Sequence, residues 1–139
     1  MKNIIIVSHG TMAKGVFEAA SMIYGNLENT NYVCLEKNMG IQSFKEKLNG
    51  LIEKIKDSEQ IIVLADLKGG SPFTTTTTLL SEKNLLGKSK IISGLNLPML
   101  LSLLFIENEI SDKEVEEIIE ASKDGIGKFQ LEDDENDDL

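Results

Sequence analysis

Histidine occurs once in this chain, cysteine once, proline twice and tryptophan not at all. One cysteine excludes an internal disulfide and any cysteine-built metal cluster. Cys34 stands in the apolar stretch YVCLE, where it is expected to pack as a small hydrophobe. One histidine, His9, cannot build a zinc site. No apolar run approaches the roughly 18–20 residues that span a bilayer. There is no basic stripe, so nucleic acid is not an expected partner. The chain opens on a strand-like pattern rather than a signal-peptide layout, so a soluble, cytoplasmic protein is expected.

What is present is a chain for one domain. It has 139 residues, 41% of them hydrophobic, and a net charge of −9. That charge is unevenly placed. The segment EDDENDD (132–138) holds six of the 23 acids; without it 17 acids face 14 bases, a balance of −3. The reading is therefore a nearly balanced domain over residues 1–131 and an acidic tail, 132–139, expected to be solvated and disordered.

Along the domain, apolar runs alternate with helical periodicity. KNIIIVS (2–8), NYVCLE (31–36), QIIVLAD (60–66) and KSKIISG (88–94) read as strands. Positions 13–24 place Ala13, Val16, Phe17, Ala20, Ile23 and Tyr24 on one helical face. Residues 41–57 do the same with Phe44, Leu48, Leu51, Ile52 and Ile55. The stretch SPFTTTTTLLSEK (71–83) is expected to be a helix with Ser71 as its cap and Pro72 as its first residue, although consecutive threonines favour strand. Residues 98–109 predict a helix opened by Pro98. Residues 111–125 predict another, with Ser111 and Glu114 in a capping-box pattern and Val115, Ile118, Ile119 and Ser122 facing the core. GKFQL (127–131) is a candidate fifth, antiparallel strand.

Strands with no polar alternation, each followed by an amphipathic helix, imply an α/β fold: a doubly wound, mainly parallel open sheet with helices on both faces. Such sheets bind ligands beyond the carboxyl ends of their strands. Three loops belong there: Ser8-His9-Gly10, the segment from Asp66 to Phe73 (DLKGGSPF), and the segment from Gly94 to Met99 (GLNLPM).

Asp66 closes an apolar strand, where a carboxylate needs a partner. His9 closes another at the same edge. An aspartate that accepts the imidazole Nδ1–H fixes the tautomer and leaves Nε2 as a nucleophile. Gly69, Gly70 and Ser71 precede a helix start, which makes an anion site of backbone N–H groups, with the Ser71 hydroxyl as a further donor. The loop is neither a Walker A sequence nor GxGxxG, so a transient phosphoryl group suits it better than a nucleotide. No second carboxylate stands beside Asp66 to hold Mg²⁺. The pattern points to a phosphohistidine intermediate with no metal and no cofactor.

VSHGTMAKG, DLKGGSPF and GLNLPMLL, in that order, resemble the IIA component of the mannose (mannose/fructose/sorbose) family of the bacterial sugar phosphotransferase system, over about residues 2–131. The resemblance implies a phosphotransferase that carries phosphate on His9. HPr would charge it and a IIB component would discharge it, with the membrane components IIC and IID reached only indirectly. It implies Asp66 as the orienting carboxylate and Gly70 and Ser71 as phosphate-binding groups. Met22, Asn96, Leu97 and Pro98 would form the rim of the site. It also implies a homodimer joined through a C-terminal strand, for which GKFQL is the candidate. Thr74 stands where the family often has Asn. No IIB sequence follows residue 131, so the IIB partner is expected on a separate chain.

Three alternatives stand beside this reading. One is the IIA-like phosphocarrier of a dihydroxyacetone kinase system, against which GGSPF speaks. Another is a receiver-like module with Asp66 as phosphoacceptor, against which Ser8-His9-Gly10 speaks, because a receiver needs acids there. The last is a regulatory module that senses phosphorylation through the same histidine.

Overall fold

The continuous apolar strands are buried on both faces, which only a parallel sheet covered twice provides. The computed structural model describes residues 1–131; the expected tail, 132–139, lies outside them. Strand β1 (Lys2–His9) leads to helix α1 (Met12–Tyr24), β2 (Thr30–Leu35), α2 (Ile41–Ile55), β3 (Gln60–Ala65) and α3 (Ser71–Glu82). A single 3-10 turn, Leu86–Lys88, precedes β4 (Ser89–Ser93), which is followed by α4 (Leu97–Leu104) and α5 (Asp112–Asp124). The four strands lie in the order β2-β1-β3-β4. Every pairing is parallel. The expected doubly wound α/β architecture is the one observed.

Alternation along the central strands divides the core into two layers. Ile4, Ile6, Ile62, Leu64 and Ile92 meet Ala13 and Ala20 of α1, Leu100 and Leu103 of α4 and Ile118 of α5. Ile5, Val7, Ile61, Val63 and Ala65 meet Phe44, Leu48 and Ile52 of α2 and Leu79 and Leu80 of α3. Cys34 is partly buried against the first layer.

The threonine run is helical. Thr76 and Thr77 donate their hydroxyls to the carbonyls of Pro72 and Phe73, at 2.7 and 2.8 Å, so the buried polar groups are satisfied. Five threonines forfeit at most about 3.5 kcal/mol of helix propensity relative to alanine. Burying Leu79 and Leu80 returns roughly 1.5–3 kcal/mol each, and burial wins.

The expectations need four corrections. The cap of α3 is Gly70, in extended conformation, and Ser71 is the first helical residue, so its hydroxyl is not used as a cap. Helix α4 ends at Leu104 rather than 109. Glu107 and Glu109 would have placed two acids at its negative C-terminal pole. Ile23 and Tyr24 are exposed at the end of α1 rather than in the core. Residues 127–131 form no strand in this chain; Ile126, Phe129 and Leu131 are exposed beyond α5 and pair with no edge. The last turn of α5 is held to the start of α4, where Asn96 donates to the Ser122 carbonyl and Pro98 stands against Gly125.

Candidate functional site

The chain leaves β1 for β2 on one side, then crosses back past β1 to β3 on the other. The crevice at such a reversal is where open α/β sheets bind ligands. His9 is the last residue of β1, and Asp66 directly follows β3, its amide donating to the Val7 carbonyl at 3.3 Å. The two expected residues are therefore brought together. One carboxylate oxygen, Asp66 Oδ2, accepts from the His9 backbone N–H at 2.9 Å and faces the ring Nδ1 at 2.8 Å.

A carboxylate facing Nδ1 assigns the proton to that nitrogen and leaves Nε2 with its lone pair. Burial divides the pair by role. The Asp66 side chain is 11% exposed and the His9 ring 47%. Among the described residues Asp66 Oδ1 is buried without a hydrogen-bond partner. The hydrogen-bond partners of its side chain are the His9 backbone N–H and the His9 ring, both at Oδ2.

Gly70 forms the wall behind the ring. A Cβ placed there would lie 2.8 Å from His9 Cε1 and 3.5 Å from Nε2. Gly69 makes the turn before it, with φ at +79°, a backbone region that side chains disfavour. At the start of α3 the N–H groups of Ser71 and Phe73 have no intrahelical partner, and Pro72 has no N–H. The Ser71 side chain is exposed. These N–H groups directly follow Gly70, the residue beside the imidazole.

The electrostatics of the edge agree. Helices α1, α3 and α4 all begin at the carboxyl ends of strands, and none has an acid in its first turn. In α5, which begins at the other edge, the first turn holds Asp112 and Glu114. A chain with 23 acids leaves the positive helix ends around His9 unneutralised, as an anion site requires.

The remaining candidates make other contacts. Asn96 caps α4, accepting from the Met99 N–H at 3.0 Å, and donates to the Ser122 carbonyl at 2.9 Å. Pro98 abuts Gly125, where a Cβ would come within 2.8 Å of its ring. These residues and Leu97, the first residue of α4, build the joint between α4 and α5 at the site's edge of the sheet. Met22 is 89% exposed near the far end of α1. It is ten residues on from Met12, about 15 Å along the axis at the helical rise. One chain does not bring Met22 to His9.

The EIIA-man family, described as the PTS system fructose IIA component, matches residues 3–123. The chain belongs to this mannose-type IIA family of the sugar phosphotransferase system. It is 28% identical over 115 residues to the fructose-specific EIIA component of Bacillus subtilis, covering 83% of this chain and 77% of that one. It is 26% identical over 125 residues to the mannose-specific EIIAB component of Escherichia coli, covering 88% of this chain but 38% of that longer protein. Among solved structures, phosphotransferase system component EIIA from Streptococcus agalactiae superposes with a TM-score of 0.77 at 31% identity, covering 92% of this chain and 97% of the other. Among the described residues no helix of this IIA component is long and apolar enough to cross a membrane. One residue that sequence reasoning passed over is Ser8. Its signal was a hydroxyl inside an apolar strand, immediately before the only histidine.

Proposed function

We propose that this IIA component carries a phosphoryl group on Nε2 of His9, taking it from phosphorylated HPr and passing it to a IIB component in the cytoplasm. The observation that carries the reading is the 2.8 Å contact between His9 Nδ1 and Asp66 Oδ2, which leaves Nε2 as the free nucleophile beside Gly70. In the first transfer the P–N bond of the donor phosphohistidine breaks as the P–Nε2 bond forms. The Nδ1 proton stays between His9 and Asp66, whose charge supports the cationic ring of the product. The N–H groups of Ser71 and Phe73 and the Ser71 hydroxyl hold the phosphoryl oxygens. A half-exposed ring at an open edge suits exchange between proteins rather than capture of a small substrate. Exposed Met12 and Leu67, three residues after His9 and one after Asp66, offer apolar contact to either partner.

The same reading includes a homodimer. Strand β4 pairs only with β3 and leaves an edge, and unpaired edges are usually covered. The exposed Phe129 and Leu131 of a second copy are the candidate cover. Sedimentation at micromolar concentration tests this, and a monomer refutes it.

The decisive experiment is labelling by phosphorylated HPr without added metal. Wild-type protein takes the label in a form stable to alkali and lost in acid. His9→Ala takes none and keeps its circular dichroism. Labelling that persists in His9→Ala, or that requires Mg²⁺, overturns the reading.

A further inference from the structure

We propose that Ser8 is a positioning residue for His9, acting through the start of α1; the claim rests on the carrier reading above. Ser8 is fully buried, in the strand between Val7 and His9. Its Oγ accepts a hydrogen bond from the Ala13 N–H at 2.7 Å. Thr11, which occupies the cap position of α1, makes no side-chain bond to the helix. The helix is therefore capped from within the sheet, by a residue that is not part of the loop.

That bond closes a ring of backbone around residues 9–12, and His9 is its first member. Two further bonds hold the ring. The Gly10 N–H donates to the Leu35 carbonyl at 2.8 Å, and the His9 N–H donates to Asp66 Oδ2 at 2.9 Å. Gly10 has φ at +57°, so the chain turns sharply as soon as it leaves His9. Within this frame Asp66 faces Nδ1 and Gly70 stands on the Cε1 side of the ring, so the direction of Nε2 follows the position of the loop. Transfer requires Nε2 to point along the line of attack, and a shift of about 1 Å in such a geometry costs on the order of 10²-fold. Removing the Ser8 hydroxyl leaves the Ala13 N–H buried without its acceptor. The loop must then shift to satisfy it, and His9 moves with the loop.

His9 is the only histidine, so its ring nitrogens give one unambiguous set of ¹⁵N signals. The test uses the full chain with Ser8→Ala, Ser8→Thr, which keeps the acceptor, and Thr30→Val as control. Thr30 is a buried hydroxyl at the opposite edge of the sheet, donating to the Glu28 carbonyl at 3.1 Å. Expected are a single Nδ1–H tautomer in wild type, Ser8→Thr and Thr30→Val, and a mixed tautomer in Ser8→Ala. Phosphate transfer from HPr to Ser8→Ala should slow by about ten-fold, one hydrogen bond's worth of positioning. Thr30→Val should lower the melting temperature without changing the transfer rate. A wild-type tautomer and rate in Ser8→Ala overturn the proposal, as does a folded Ser8→Thr that is as slow as Ser8→Ala. The tautomer is read without any phosphoryl donor. If wild-type protein takes no label from HPr, the carrier reading fails while the placement of His9 by Ser8 is still decided by the spectra.

Discussion

Gly70→Ala separates the site from the fold. The Gly70 backbone has φ −73° and ψ 168°, extended values open to any residue, so alanine meets no backbone strain. On that ground alone the substitution stabilises by about 0.4–1 kcal/mol, because it restricts the unfolded chain. The cost falls on the ring. The new methyl would lie 2.8 Å from His9 Cε1, against about 3.5 Å for the shortest ordinary carbon contact. The Leu67 carbonyl oxygen, at 3.4 Å, keeps the methyl from retreating freely. The imidazole must therefore give way by roughly 0.7 Å or more. It is exposed enough to move, but moving strains the bond from Nδ1 to Asp66. At that displacement transfer should fall by about 10–10²-fold. The assay is rapid-quench labelling by phosphorylated HPr beside a thermal melt. Expected is a melting temperature equal to or above wild type with slow labelling. Wild-type labelling would refute the argument that the glycine is there for the ring, and a large loss of stability would show that its role is in the fold.

Asp66→Asn should keep the fold and slow transfer by about 10²–10⁴-fold, since the amide lacks the charge that supports a cationic imidazole; wild-type rates would make Asp66 merely structural. Asn96→Ala removes a helix cap and the link to Ser122, so it should cost about 1–2 kcal/mol and a few degrees of melting temperature, with transfer by the folded protein nearly unchanged. A rate loss without a stability loss would put Asn96 back at the rim. Hydrogen bonds from Lys83 and then Lys56 hold the Glu53 carboxyl below its ordinary range. A carboxylate depressed by folding stabilises above its unfolded pKa and stops doing so as pH falls through its folded one. Any destabilisation in Glu53→Gln should therefore be present at neutral pH and vanish in acid; a difference that persists in acid would implicate packing instead.

The fold was legible because its strongest signals are repeated. Four apolar runs without alternation, each followed by helical spacing, admit a parallel sheet covered on both faces and little else. The errors fall where a local signal decides an end. Ser71 reads as a cap because serine caps helices well, yet the helix begins at Ser71 itself and Gly70 takes the cap position, in extended backbone beside the His9 ring. GKFQL reads as a strand from its composition, but a strand exists only when something pairs with it, and this chain supplies no partner to residues 127–131.

The site was legible at the level of residue type and not at the level of contact. His9 and Asp66 are polar residues ending apolar runs, and a sheet whose order reverses between β1 and β3 has to place two such ends side by side. What sequence does not carry is which atom meets which. Both hydrogen bonds from His9 reach the same oxygen of Asp66, the wall behind the ring is a missing Cβ, and the start of α1 is capped by a strand residue five positions upstream. Each depends on how far one segment stands from another. Met22 makes the converse case. It was carried to the rim by resemblance alone, and the length of α1 separates it from His9. Motif likeness transfers which residues recur in a family, and only geometry says which of them share a site in one chain. His9, Asp66 and Gly70, the residues that meet here, each have a chemical reason to stand at this edge that owes nothing to likeness.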